Sequence, residues 1–300
     1  MSGRAERPSK VRELEDVLAW VEPGSQLAFG GFLIHNKPSA FVRALVRAGI
    51  GDLHLYSCPT ASYDVDLLIG AGLVAETVLG NASFDYLGPA PQYSAAVAAG
   101  SIDAVIADEA IVAGGYMATI EGIPYHPLES ERGHDVATSC RLVTPYRSHT
   151  GHDLVAVSPI APDVAVLHVQ QADPYGNCRH LGSVWGDVMI AKASRRVIVT
   201  TDELITEGEI RRSPRTTTLP AQLVDAVIVI PHGAHPCSSH GRYLHDERHL
   251  RAYLEAAGAG GDLDAYLDRY VRAPGGSQAT YLEAVGGEEA LQLLEHRLPW

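Results

Sequence analysis

Gln26-Leu27-Ala28-Phe29-Gly30-Gly31-Phe32, followed by Leu33-Ile34-His35-Asn36-Lys37-Pro38, decides the fold of this 300-residue chain. Gln26–Phe29 is an apolar run of strand length that stops at two glycines. Glycine admits φ > 0 and lets a ligand approach the backbone with no Cβ in the way. Pro38 suits the first turn of a helix, where a missing N–H leaves nothing unsatisfied. Ser39–Ala48 then spaces Phe41, Val42, Leu45 and Val46 along one helical face and leaves Arg43 and Arg47 four residues apart. Strand, glycine loop and helix start with cations nearby make the outline of an anion site.

The same alternation continues outward. Strands are expected at 53–57, 76–79, 104–106, 164–169, 196–200 and 224–230, and helices at 64–70, 92–99, 109–119 and 185–193. Near-continuous apolar strands separated by helices predict an α/β fold: an open, mostly parallel sheet with helices on both faces. Ligands in such folds sit at the C-terminal ends of the strands. Ser9 is read as the cap of a helix reaching about Val21. Later helices are expected at 246–257, 263–270 and 288–297. The chain is divided into a flexible N-terminus (1–9), one α/β domain (10–272) and a helical C-terminal tail (273–300).

A formal charge of −13 argues against a nucleic-acid or anionic-membrane surface, though not against a phosphate met by a local cation. No apolar run is long enough for a spanning helix. The polar first ten residues lack the apolar stretch of a secretory signal. Cys58, Cys140, Cys178 and Cys237 are widely spaced with no C-x-x-C pair, which fits a reducing, cytoplasmic compartment.

Three constellations carry possible chemistry. Asp108-Glu109 closes one strand and opens a helix. It reads either as an N-cap with a first-turn acid or as a carboxylate poised as base or nucleophile. Ala172-Asp173-Pro174-Tyr175-Gly176-Asn177 reads as a tight turn. Pro231-His232-Gly233-Ala234-His235-Pro236, with His240, His245 and His249 beyond, lacks the acidic helical spacing of a zinc protease, and no metal is assigned. His235 is either a polar wall of a strand-end cleft or a structural hydrogen-bonder. No Gly-x-Gly-x-x-Gly, P-loop or Gly-x-Ser-x-Gly occurs.

Residues 24–38 also resemble the signature of the α subunit of family I CoA-transferases, with Pro23 at its acidic position and Asn36 at its later glycine. Residues 101–125, including Asp108-Glu109, are similar to the α subunit of the steroid ring-opening CoA hydrolases. Ala-Asp-x-x-Gly-Asn at 172–177 and the stretch 192–200 are similar to the family's α subunits, and Gly-Ala-His-Pro with Tyr243 and Asp246 resembles the glutaconate CoA-transferase α branch. The resemblance spans about residues 10–272. It implies an α subunit that works on acyl-CoA with a β-type partner (α2β2), coenzyme A entering as substrate moiety and no separate cofactor. In the transferases a β-chain glutamate forms the anhydride and then the CoA thioester. The α chain supplies substrate and oxyanion contacts, carried here to Gly30, Gly31, Phe32, Asp108 and His235, with Lys37 and Asn36 meeting coenzyme A. In the steroid ring-opening relatives the catalytic glutamate lies on the α chain, which carries it to Glu109. That chemistry, or decarboxylation on the same fold, is the alternative, and a non-catalytic α-like subunit is the third.

Overall fold

Seven strands run parallel in the spatial order β11-β10-β8-β1-β2-β3-β4, as the near-continuous apolar runs require. The structure, a computed structural model, describes residues 7–129, 134–273 and 276–295. The strands are β1 Gln26–Phe29, β2 Leu53–Ser57, β3 Val74–Leu79, β4 Asp103–Ile106, β5 His126–Glu129, β6 Val143–Arg147, β7 Asp153–Val157, β8 Val164–Ala172, β9 Cys178–Arg179, β10 Arg196–Leu204 and β11 Ala226–Val229. The helices are α1 Leu14–Leu18, α2 Ser39–Ala48, α3 Tyr63–Gly70, α4 Pro91–Ala99, α5 Glu109–Glu121, α6 His134–Ser139, α7 Asp187–Ala193, α8 Glu207–Arg212, α9 Glu247–Ala257, α10 Leu263–Tyr270, α11 Gln278–Ala284 and α12 Gly287–Gln292.

Alternate side chains of each strand enter two separate cores. Leu27, Phe29, Leu53, Leu55, Val164 and Val166 pack with α2 and α3 on one face. Ala28, Tyr56, Val105, Ala165, Leu167 and Val169 pack with α5 and α7 on the other. Period-two alternation with both faces apolar is what makes these strands read as unbroken hydrophobic runs. Among the described residues no helix is long and apolar enough to cross a membrane.

Helices α6, α8 and α11 and strand β9 are not among the expected elements, α12 ends at Gln292 short of the expected 297, and two further differences bear on the sheets. The N-terminal helix is only Leu14–Leu18, because residues 10–12 are drawn into the sheet edge. Val227 N donates to Lys10 O and Arg12 N to Val227 O, at 2.9 Å each. Lys10 Nζ also donates to the carbonyls of Ala221 and Val224. These bonds take the backbone groups that a longer helix would have needed. The second difference is a small antiparallel sheet, β5-β7-β6, in a region the sequence leaves as loop. Its edge strands carry Pro127 and Pro145, which suit edges but hide a strand pattern. Of that loop, residues 130–133 lie outside the described residues, as do 1–6, 274–275 and 296–300.

Residues 172–177 form the expected turn. Asp173 Oδ1 accepts from Tyr175 N and Asn177 N, and Oδ2 from Asn177 Nδ2, between antiparallel β8 and β9. The C-terminal helices dock through hydrogen-bonded tyrosines. Tyr63 and Tyr266 hydroxyls meet at 3.1 Å, Tyr253 donates to Asp66, and His249 Nε2 lies 2.8 Å from the Tyr266 hydroxyl. Arg43, buried, donates to His235 O and Gln278 Oε1, both at 2.8 Å, and its guanidinium lies 3.5 Å from the Tyr281 ring centre.

Candidate functional site

The strand order reverses at β1: the chain moves out through β2, β3 and β4, then returns to place β8 on the other side of β1. A crevice forms at such a reversal, beyond the C-terminal strand ends. The loop 30–37 leaves β1 at that point. It is joined by 58–60 after β2, Gly80 after β3, Asp108-Glu109 after β4, and 180–187 after the β8–β9 hairpin.

The two adjacent carboxylates make different contacts. Asp108 caps α5, its Oδ1 accepting from Ile111 N at 2.7 Å. Glu109 is exposed, and its Oε1 accepts from Thr60 Oγ1 at 3.1 Å. It reaches the loop after β2 across Gly80, where an added Cβ would lie 2.9 Å from Glu109 Cγ. As the first residue of α5, Glu109 sits where helix amides favour negative charge. Burial, and then the charge of Glu109, push the neighbouring Cys58 thiol up to about 12, so it stays protonated near neutral pH.

Lys37 is not a ligand for phosphate in this structure. It is fully buried, its Nζ donating to Thr60 O at 2.9 Å and lying 3.1 Å from Asp64 Oδ2, also fully buried. A buried ammonium needs such a partner, and one spent on Asp64 is not left for coenzyme A. Lys37 instead braces Thr60 by its carbonyl while the Thr60 hydroxyl holds Glu109.

The glycine loop is equally committed. Gly30 N donates to Val166 O, Gly31 N to Asp187 Oδ1 and Phe32 N to His35 O, at 3.1, 2.8 and 3.0 Å. An oxyanion role for these amides would require one of those bonds to be released. Gly31 has φ +76°, and a Cβ there would lie 2.4 Å from His35 O. Asn36 is buried. Its Oδ1 accepts from Gln170 Nε2 at 3.0 Å and His240 N at 3.2 Å, which leaves its Nδ2 buried without a partner. His235 lies outside the cleft. It is fully buried, with Nδ1 2.7 Å from the Tyr281 hydroxyl and Nε2 3.4 Å from Asp246 Oδ2, and is a structural hydrogen-bonder.

Sequence reasoning missed Thr60, His180, Asp187 and Trp185. Asp187, buried, receives Gly31 N on one oxygen and faces His180 Nε2 at 3.0 Å with the other. Nothing in its local sequence separates it from an ordinary first-turn helix acid. A second buried group, His168 with Asp202 and Ser239, is not a nucleophile relay. Both partners meet the same ring atom, Nε2, at 3.2 and 3.3 Å.

Over the loop lies an aromatic cluster: Phe32 on Trp185 at 4.7 Å between ring centres, and His35 on His240 at 5.1 Å. Burial, then the charges of His240 and His245, lower His35 from 6.5 to about 4, with Lys37 adding to the effect and Asp85 opposing it. Burial also lowers His240 and His245, the latter against Glu247, Asp85 and Asp246. Each imidazole therefore binds a proton more readily in the unfolded chain. Stability is full above about pH 6.5 and falls as pH drops toward about 4. Thermal unfolding between pH 7 and 4.5 is expected to show this decline, and His35→Gln to flatten it. A slope unchanged in the variant would remove His35 as a source.

The family model described as Coenzyme A transferase matches residues 11–229. The α-type subunit of glutaconate CoA-transferase from Acidaminococcus fermentans is 31% identical over 88% of this chain and 88% of its own. The crystal structure of that organism's glutaconate coenzyme A-transferase superposes with a TM-score of 0.89 at 29% identity, covering 97% of this chain and 96% of the other. The cholesterol ring-cleaving hydrolase IpdA subunit of Mycobacterium tuberculosis is 29% identical over 93% of this chain and 97% of its own. An uncharacterized Archaeoglobus fulgidus protein is 31% identical over 96% of this chain, which spans 66% of that protein's length.

Proposed function

Because the chain belongs to the coenzyme A transferase family, we propose that it is the α subunit of a heteromeric enzyme that moves coenzyme A between carboxylates. The observation that carries this reading is the match to the α-type chain of glutaconate CoA-transferase along nearly the whole length, in sequence and in fold. The site agrees with it. The loop amides are engaged and Lys37 is neutralised internally, so this chain shapes a cleft without completing one. A β-type partner completes it, and α2β2 is the assembly proposed.

In this mechanism a partner carboxylate attacks the thioester carbonyl. The C–S bond breaks, coenzyme A leaves as thiolate and an acyl anhydride forms. The thiolate then attacks the enzyme's own carbonyl of the anhydride. The C–O bond breaks, the acyl group leaves as a carboxylate, and an enzyme thioester remains for the acceptor. This chain holds the acyl end in the crevice, and no separate cofactor takes part.

One observation favours a second reading: Glu109 projects from the strand ends on a single side-chain hydrogen bond, as a base for C–C cleavage of an acyl-CoA would. Glu109→Gln in the assembled enzyme separates the two. Under transfer, kcat/KM falls by less than about tenfold and mass spectrometry still finds coenzyme A bound to the partner. A fall on the order of 10³, within the range of general acid–base catalysis, with no adduct would move the chemistry to Glu109.

A further inference from the structure

We infer that the cleft beyond the C-terminal end of β8 is an anion subsite, taking a carboxylate or phosphate group of the thioester substrate; the inference rests on the reading above. The cleft encloses about 530 Å³ and is walled by Gln171, Arg179, His180, Arg215, Thr216 and Thr218 among others. That is the size of a small-molecule site. Its lining holds two guanidiniums and no carboxylate, in a chain of formal charge −13. The nearby acids are already engaged: Glu203 with Gln171 and Arg242, Asp187 with His180 and Gly31, and Glu209 with Thr206 and, through charge, with Arg212 and Arg179.

The two arginines are prepared differently. Arg179 is fixed in place, its Nη2 donating to Glu209 O at 2.7 Å and Ser213 O at 3.3 Å, while its Nε is buried without a partner. An unmet buried donor of this kind is costly until an acceptor reaches it. Arg215 makes no hydrogen bond or ion pair with the described residues. A planar guanidinium fork matches both carboxylate and phosphate oxygens.

A chain of hydrogen bonds links the wall of the cleft to the glycine loop at the strand reversal. Thr218 Oγ1 lies 2.7 Å from His180 Nδ1, His180 Nε2 lies 3.0 Å from Asp187 Oδ2, and Asp187 Oδ1 holds Gly31 N at 2.8 Å. On its other side Gly182 closes on His240, where an added Cβ would come within 2.7 Å. His240 in turn packs on His35 and Trp185. An anion held here is therefore one hydrogen-bonded relay away from the glycine loop.

The test is calorimetric titration of the full chain with glutarate, with adenosine 3′,5′-bisphosphate, and with dimethyl glutarate as the uncharged control. One anion is expected to bind, the control is not, and Arg215→Gln is expected to weaken binding at least tenfold. Arg272→Gln, in which the lost guanidinium belongs to ion pairs on α10, is expected to leave it unchanged. Binding of glutarate assigns the subsite to a distal carboxylate of the acyl group; binding of the bisphosphate assigns it to a phosphate of coenzyme A. Failure of both anions to bind, an unchanged affinity in Arg215→Gln, or equal losses in the two variants would overturn the inference. Acyl-CoA turnover by the assembled enzyme is measured separately. Anion binding without turnover would defeat only the proposed function, and turnover without anion binding only the subsite.

Discussion

Asp64→Ala is expected to cost about 3–5 kcal/mol of stability, because it strands the Lys37 ammonium in a fully buried site. For a chain of this size that is a fall in midpoint of roughly 5–8 °C in thermal unfolding. The 3.1 Å approach of Lys37 to Asp64 Oδ2 is ionic rather than a well-aligned hydrogen bond, and Asp64 Oδ1 also accepts from Ser62 N at 2.8 Å. Replacing the pair together, as Lys37→Met with Asp64→Leu, is expected to recover much of the loss, since removing both charges also removes their desolvation cost. The double variant still loses the bond from Lys37 Nζ to Thr60 O, so its defect is expected in the placement of Thr60 and Glu109. A midpoint unmoved by Asp64→Ala would mean that Lys37 reaches water, and would return it to the candidates for coenzyme A binding.

The second large effect falls on Gly31. Its φ of +76° already disfavours any side chain. A Cβ would stand 2.4 Å from His35 O and 2.6 Å from Asn36 O. Both are backbone atoms, so no flexible side-chain tip can yield. Gly31→Ala must open the loop and break the bond from Gly31 N to Asp187. The assembled enzyme is expected to lose at least about 100-fold in kcat/KM, since small displacements of positioning elements cost that much. Gly49→Ala is the matched control. It has a similar φ of +65° at the end of α2, but nothing lies within 4 Å of the added Cβ. Its cost is expected to be about 1 kcal/mol, with activity retained. Full activity in both variants would show that closure of the loop on Asp187 is not needed for turnover.

The parallel sheet was legible because its strands are buried on both faces, and unbroken runs such as 164–169 and 196–200 leave little ambiguity. The small sheet was not, because Pro127, Pro145 and polar neighbours erase the alternation that identifies a strand. The same limit applies to the site. Gly30-Gly31 marked a loop at the C-terminal end of a strand, since strand-end glycines are a local signal. Lys37 and His235 were misplaced because proximity in sequence to a cleft says nothing about burial, and both turn inward to partners that are not their chain neighbours. Asp187 and His180 were invisible for the complementary reason. Their meaning comes from Gly31, more than 140 residues earlier, and from Thr218, further along.

The buried Arg43 has a consequence for how the chain is made. Its guanidinium belongs to the helix that follows the first strand, yet its acceptors are His235 O and Gln278, and the ring beneath it is Tyr281. On a ribosome adding about 5–20 residues per second, those groups emerge on the order of 10–50 seconds after Arg43 itself. All seven parallel strands are synthesised by residue 229, before any of these partners exists. A nascent sheet must therefore keep this cation hydrated, and hold α2 loosely, until the last helices arrive. Emergence of residues 235 to 281, rather than completion of the sheet, sets the moment at which the helix behind the glycine loop can close down.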